Sequence, residues 1–277
     1  MSVQTGSGGS AGYAARLVAE VSAWARQLVR PPSQPGRAEA AQRLRRNAPL
    51  TLVGAGIVIF VLMMWVDVRE IAMMPPRGTP GLWPFRILTD FGKDTFVLLL
   101  LIFVLLAVAL AAPAVREPLC ARLLDFGLRL QFVLLAVSVP LAIGELLKWV
   151  VGRGRPFVGG QADAFNFSHF HGTAAYESFP SGHAITAFAL AFAVAAAWPR
   201  MRAVMIVYAA VIAFTRLVLL AHHPSDVLAG ATIGIVGAMC VRYWFALRGL
   251  AFAVDSCGRI SSLARGSKGV AEKASAS

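Results

Sequence analysis

Three short stretches hold most of the residues whose types and spacing could do chemistry. KWVVGRGRP runs from Lys148 to Pro156, SFPSGH from Ser178 to His183, and TRLVLLAHHPSD from Thr215 to Asp226. Lys148, Arg155 and Arg216 are three cations of the kind that clamp a phosphate. Arginine can grip two oxygens at once, and lysine acts as a compact point charge. In the second stretch, Pro180 biases Phe179 toward an extended backbone. Ser181 is then a natural N-cap, and Gly182 opens a helix. A helix start offers free N–H groups to an anion. Gly182 lets a ligand approach closely, and His183 projects from the first turn toward the same place.

The third stretch adds His222 and, four residues on, Asp226. Pro224 suits the first position of a helix, so this pair bridges a loop and a helix start. An aspartate can hold one ring nitrogen of a histidine and free the other for attack. The chemistry these groups predict is phosphoryl transfer. His222 attacks phosphorus, Asp226 orients it and supports its growing positive charge, and His183 protonates the leaving oxygen. The cations and N–H groups stabilise charge on the phosphoryl oxygens. Water then hydrolyses the phosphohistidine, with His183 as its base.

The elements that must position these residues are apolar. Of the 277 residues, 57% are hydrophobic and only 14% charged, outside the range of ordinary soluble domains. Six apolar stretches, roughly 48–66, 95–115, 130–150, 183–199, 203–221 and 226–247, are candidate membrane spans. Each must be a helix, because every backbone polar group needs a partner inside lipid. The predicted fold is therefore all-α: a polytopic bundle of six transmembrane helices.

The net charge of +12 would suit nucleic acid if it formed one patch, but the charges sit at span ends, so no nucleic-acid partner is expected. Residues 1–47 carry seven arginines, Arg16, Arg26, Arg30, Arg37, Arg43, Arg45 and Arg46. The links near 116–129 and 199–202 and the C-terminal segment are also basic. With six spans these segments share one side, which the positive-inside rule makes the cytoplasm, with both termini there. All three chemical stretches then meet at the opposite face. Lys148, Arg153 and Arg155 break the charge rule at that face, as residues serving an anion would. Cys120, Cys240 and Cys257 fall on or near the cytoplasmic side and imply neither a disulfide framework nor a metal cluster.

These residues resemble the signature of the type 2 phosphatidic acid phosphatase (PAP2) superfamily: K-x6-R-P, P-S-G-H and S-R-x5-H-x3-D. The first is matched by Lys148 through Arg155-Pro156 and the second by Pro180-Ser181-Gly182-His183. The third is matched by Arg216, His222 and Asp226, with Thr215 where the family usually has serine. The resemblance implies a six-helix core over about 48–248 and an enzyme of the membrane lipid phosphatase branch, acting on a lipid phosphomonoester or diphosphate. It implies phosphate binding by Lys148, Arg155, Ser181, Gly182 and Arg216, and chemistry by His222, His183 and Asp226, without a metal or other cofactor. The family spacing favours His222 over His223 as nucleophile. A phosphotransferase with another acceptor shares every motif. A non-enzymatic anion channel would leave both histidines and Asp226 without a role.

The domain reading is a cytoplasmic tail over 1–47, a phosphatase domain over 48–250 and a flexible tail over 251–277. Residues 1–12 read as disordered. Tyr13, Leu17, Val21, Trp24 and Leu28 recur at helical spacing, as in a helix lying on a membrane surface or in a loose tail. The compact chain and its charge bias point to a bacterial inner membrane, with the site facing the periplasm. Four features stay open. Arg153 is a fourth phosphate contact or an interface anchor. Glu145 is a local partner of Lys148 or a functional acid. His169 and His171 form an H-x-H without a third ligand. Asp90, Lys93 and Asp94 read as charges flanking a helix.

Overall fold

The computed structural model describes residues 8–32 and 37–263. They form helices α1 (Gly8–Leu28), α2 (Arg37–Trp65), α3 (Asp67–Met73), α4 (Trp83–Asp90), α5 (Asp94–Ala111), α6 (Leu119–Val151), α7 (Gly182–Ala197), α8 (Arg202–Val218) and α9 (Pro224–Leu247). A hairpin of β1 (Phe252–Val254) and β2 (Ile260–Ser262) follows. Among the described residues, five helical segments are long and apolar enough to cross a membrane: 37–65, 80–114, 119–151, 199–218 and 224–247. The sixth expected span is α7, a shorter apolar helix of 16 residues. At 1.5 Å per residue it is about 24 Å long, short of the ~30 Å hydrocarbon core. Its end is local: Trp198 leaves helical geometry just before Pro199, where an extended backbone is favoured.

The chain divides into two compact units. One comprises the described residues within 44–104 and 131–241, and it contains all three chemical stretches. Its core is built from small residues. Ala187 and Ala191 of α7 pack with Ala209 and Ile212 of α8, flanked by Phe188, Met205 and Tyr208. Helix α9 also approaches the backbone of α7 closely. A Cβ on Gly230 would fall 2.5 Å from the Ser181 carbonyl oxygen, and one on Gly234 would fall 2.5 Å from that of Ile185. Small residues allow this backbone approach, which is how helices associate where lipid removes the hydrophobic drive. The contact sets the start of α7, with Ser181 and His183, beside the start of α9, with Asp226. Large apolar side chains such as Ile57 and Phe60 on α2, Leu100 and Phe103 on α5, and Val207 and Phe214 on α8 remain exposed, as lipid-facing positions would be.

The other unit comprises the described residues within 1–43, 105–130 and 242–277. Here Tyr13 of α1 donates to the Leu110 carbonyl at 2.7 Å, and Trp24 sits against Gly127. Two departures from the sequence reading fall here. Residues 8–12, read as disordered, begin α1; residues 1–7 lie outside the described residues. Residues 252–262, read as flexible tail, form the antiparallel hairpin. Phe252 and Val254 are buried on one face. Asp255 accepts the N–H groups of Cys257 and Arg259 to close the turn, and Gly258 takes the left-handed φ of +73°. The remaining tail, 264–277, lies outside the described residues.

Candidate active site

The residue that ends α6 shapes the site. Gly152 adopts φ +57°, the left-handed conformation that glycine supplies at helix ends, and a Cβ there would collide with the Ser168 carbonyl. The chain then folds back. Ser168 N–H donates to Gly152 O at 2.7 Å and Gly154 N–H to Asn166 O at 2.8 Å. Arg155 N–H donates to Ala175 O at 2.8 Å and Ser178 N–H to Arg153 O at 3.0 Å. These bonds bring the first stretch beside the second. The second meets the third where Ser181 N–H donates to Asp226 O at 3.1 Å. Ser181 is the N-cap of α7, and its Oγ accepts from Ala184 N–H at 3.5 Å.

The cations converge on this point. A Cβ on Gly182 would lie 3.0 Å from Lys148 Nζ, so the absent side chain is what admits the ammonium to the start of α7. Lys148 is also 2.5 Å from Glu145 Oε1, the local pairing that was one of two options for Glu145. Arg216 donates through Nη1 to Thr89 Oγ1 at 2.5 Å, and Thr89 Oγ1 lies 3.1 Å from the Thr215 hydroxyl. Both Arg155 Nε and Arg216 Nε are buried without a hydrogen-bond partner, an arrangement that an oxyanion would complete. The charges of Arg216, Lys148, Arg155 and Lys93 all reach His183. Lys93, read as a flanking charge, thus sits within electrostatic range of the site.

His222 is buried, and its Nδ1 lies 2.8 Å from the Ser178 carbonyl oxygen. A carbonyl can only accept, so Nδ1 carries the proton and Nε2 holds the free lone pair. Burial, reinforced by the Arg216 charge, holds the His222 pKa well below the usual imidazole range, against the opposing pull of Asp226. A neutral ring with Nε2 free is the form a nucleophile needs. The orienting partner differs from the sequence expectation. Asp226 Oδ2 stands 3.9 Å from His222 Nδ1, beyond hydrogen-bond range. Asp226 Oδ2 instead accepts from Ser178 Oγ at 2.6 Å, His223 N–H at 2.9 Å and His223 Nδ1 at 3.1 Å. The helix start explains this: in its first turn, Asp226 turns back to cap the N–H of His223, three residues earlier.

Arg153 is neither of the two things the sequence left open. It is fully buried. Its Nε donates to Ala164 O at 3.0 Å, and Nη2 donates to Ala164 O at 2.7 Å and Asp67 Oδ2 at 2.8 Å. Its Nη1 donates to Ser225 Oγ at 2.6 Å and Asp226 Oδ1 at 2.5 Å. All five donors of a guanidinium are thereby used, and none remains for phosphate.

Sequence reasoning missed Asp67, Arg77, Thr89, Ser178 and Ser225. Arg77 donates to the carbonyls of Leu220 and Pro156, with Nη2 at 2.6 and 2.9 Å. It thereby ties the loop of His222 to the loop of Arg155. One signal was available: Asp67 is an acidic residue directly after an apolar span, a placement that needs a partner. His169 and His171 have local partners, the Val150 carbonyl and the Thr173 hydroxyl. Among the described residues no group of three or more His, Cys, Asp or Glu could hold a metal ion.

A neutral histidine with a free Nε2, a second histidine and converging cations are what phosphoryl transfer through histidine requires. Residues 129–250, which include all three stretches, match the family model of the PAP2 superfamily. Two curated relatives named lipid A 1-phosphatase are similar. That of Rhizobium johnstonii is 40% identical over 42% of this chain and 48% of its own length. That of Rhizobium etli is 39% identical over 44% and 49%. A putative undecaprenyl-diphosphatase of Escherichia coli is 35% identical over 39% of this chain and 54% of its own. The chain thus matches about half the length of these relatives. Among solved structures, a transmembrane PAP2-type phosphatidylglycerolphosphate phosphatase from Bacillus subtilis aligns with TM-score 0.47 and 19% identity. That alignment covers 70% of this chain and 93% of that one.

Proposed function

We propose that this chain is an integral-membrane phosphatase that hydrolyses a lipid phosphomonoester or diphosphate through a phosphohistidine. The observation that carries the reading is the convergence of Lys148, Arg155 and Arg216 on two histidines at the start of an apolar helix. The phosphate enters with its oxygens toward Lys148, the unpartnered Nε groups of Arg155 and Arg216, and the N–H groups around Ser181 and Gly182. His222 Nε2 gives its lone pair to phosphorus as the bond to the lipid oxygen breaks. His183 delivers a proton to that oxygen. The Ser178 carbonyl holds Nδ1–H, and the Asp226 carboxylate supports the positive ring. Water then attacks phosphorus, giving a proton to His183, and the P–N bond breaks to release phosphate. Each step runs through side chains, and no metal takes part.

The charge pattern supports an inner-membrane protein with six crossings, both termini in the cytoplasm and the site at the periplasmic face. The named relatives direct the substrate reading to the phosphates of lipid A and of polyprenyl diphosphates, where a phosphate adjoins an apolar tail. A phosphate-release screen across such lipids, with purified wild type and His222→Ala, tests the proposal. Release by wild type and none by the variant supports it. Full release by His222→Ala sinks it. Phosphate passed to an added lipid or sugar acceptor would make the protein a phosphotransferase.

A further inference from the structure

Asp67 is a buried carboxylate of this unit that the reaction above does not use. It opens α3 and is fully buried. Its Oδ1 accepts Ser225 N–H at 3.0 Å, and its Oδ2 accepts Ser225 Oγ at 2.5 Å and Arg153 Nη2 at 2.8 Å. Arg153 passes the link to Asp226 Oδ1. Two carboxylates and a guanidinium held out of solvent are weak contributors to stability compared with apolar packing. Their burial here is explained if the position of Asp226 matters.

We propose that Asp67 is a positioning residue for phosphoryl transfer, acting through Arg153 and Ser225 on Asp226. The proposal rests on the phosphatase reading above. The geometric part is direct. Asp226 Oδ2 faces both His223 Nδ1 at 3.1 Å and His222 Nδ1 at 3.9 Å, so a small rotation of the carboxylate changes which ring it serves. Arg153 fixes that rotation by holding Oδ1. Asp67 fixes Arg153 from the other side and pins the first turn of α9 through both the N–H and the hydroxyl of Ser225.

The electrostatic part follows from the count of charges. Arg153 lies between two carboxylates, so the trio carries one net negative charge beside His222. Without Asp67, Arg153 would neutralise Asp226 alone, and the negative charge that supports a positively charged phosphohistidine would be cancelled. Asp67 therefore favours the covalent state and leaves the binding of a phosphate ester in the cation clamp almost unchanged.

The test compares wild type, Asp67→Asn, Arg153→Lys and the double variant in detergent, each checked for a cooperative melt. Steady-state phosphate release is measured together with inhibition by orthovanadate and by inorganic phosphate. Vanadate accepts a fifth ligand from histidine and imitates the phosphoryl group in flight, whereas phosphate reports ground-state binding. For Asp67→Asn, kcat falls about 30-fold or more while KM stays within about threefold. Vanadate affinity drops by about tenfold or more while phosphate affinity changes less than about twofold. The double variant is no slower than the slower single variant, as expected for groups acting in series. Unchanged kcat in Asp67→Asn, or equal loss of vanadate and phosphate affinity, would overturn the proposal. If Asp67→Asn does not fold, Ser225→Ala removes one arm of the same link: lowered kcat at constant KM supports the role, and unaltered kcat and vanadate affinity refute it. A folded wild type without phosphatase activity would overturn the underlying reading itself, and this proposal with it.

Discussion

Glu70 provides a pH-dependent test of how the start of α3 is buried. It follows Asp67 by one helical turn, and both of its carboxylate oxygens are buried without a hydrogen-bond partner. Burial, and then the negative charge of Asp67, push its pKa from the ordinary 4.5 up to about 7. The folded protein therefore holds this proton more tightly than the unfolded chain does. Below about pH 4.5 both states are protonated and Glu70 costs nothing. Between 4.5 and about 7 the unfolded chain ionises first, and stability falls as pH rises. Above that range the cost is complete. The full gap corresponds to roughly 3.4 kcal/mol, which solvent screening of a group under a thin layer of protein reduces to about 1–2 kcal/mol. Glu70→Gln removes the ionisation at nearly constant shape. Melting midpoints in detergent should rise by about 2–6 °C at pH 8 relative to wild type, and the two proteins should converge near pH 4.5. A difference independent of pH, or a variant less stable than wild type at pH 8, would refute the reasoning, because it would mean that ionised Glu70 has a partner.

Three further outcomes follow from the geometry. Gly230→Ala places a methyl 2.5 Å from the Ser181 carbonyl and 2.9 Å from the Ala184 side chain. It must push the starts of α9 and α7 apart, lowering kcat/KM by about 10²-fold if the displacement nears 1 Å, as phosphate-release kinetics would show. Arg216→Lys keeps the charge but loses the planar fork that reaches Thr89, so kcat/KM should fall about 10- to 10³-fold. Chelation with EDTA should leave phosphate release unchanged, since no step is routed through a metal; loss of activity restored by added Mg²⁺ or Zn²⁺ would contradict that.

Much of the site was legible because its groups are local in sequence. Ser181 as N-cap of α7 and Pro224 at the start of α9 follow from neighbouring residues alone. The convergence of Lys148, Gly182 and Arg216 could be inferred because apolar helices leave few places for charge. The partners of Asp226 were not legible. Whether it serves His222 or His223 depends on a 0.8 Å difference between 3.9 and 3.1 Å, set by a first-turn cap that spacing cannot resolve. Asp67 reaches Ser225 across 158 positions, and no local rule links them. Of the six expected spans, five correspond to helical segments long and apolar enough to cross a membrane among the described residues; the sixth, α7, stops short because the chain leaves helical geometry at Trp198, before Pro199. The hairpin at 252–262 was hidden by its polar context, although the alternation of Phe252 and Val254 and the turn at Asp255–Gly258 were present in the sequence.

The central claim is that phosphorus passes through Nε2 of His222. Rapid acid-free quenching during turnover of a ³²P-labelled lipid phosphate, followed by peptide mapping, tests it most directly. An acid-labile, base-stable label is expected on the peptide region at His222, present in wild type, absent in His222→Ala and retained in His223→Asn. Label on His223, or phosphate release with no labelled protein at any time point, would contradict it.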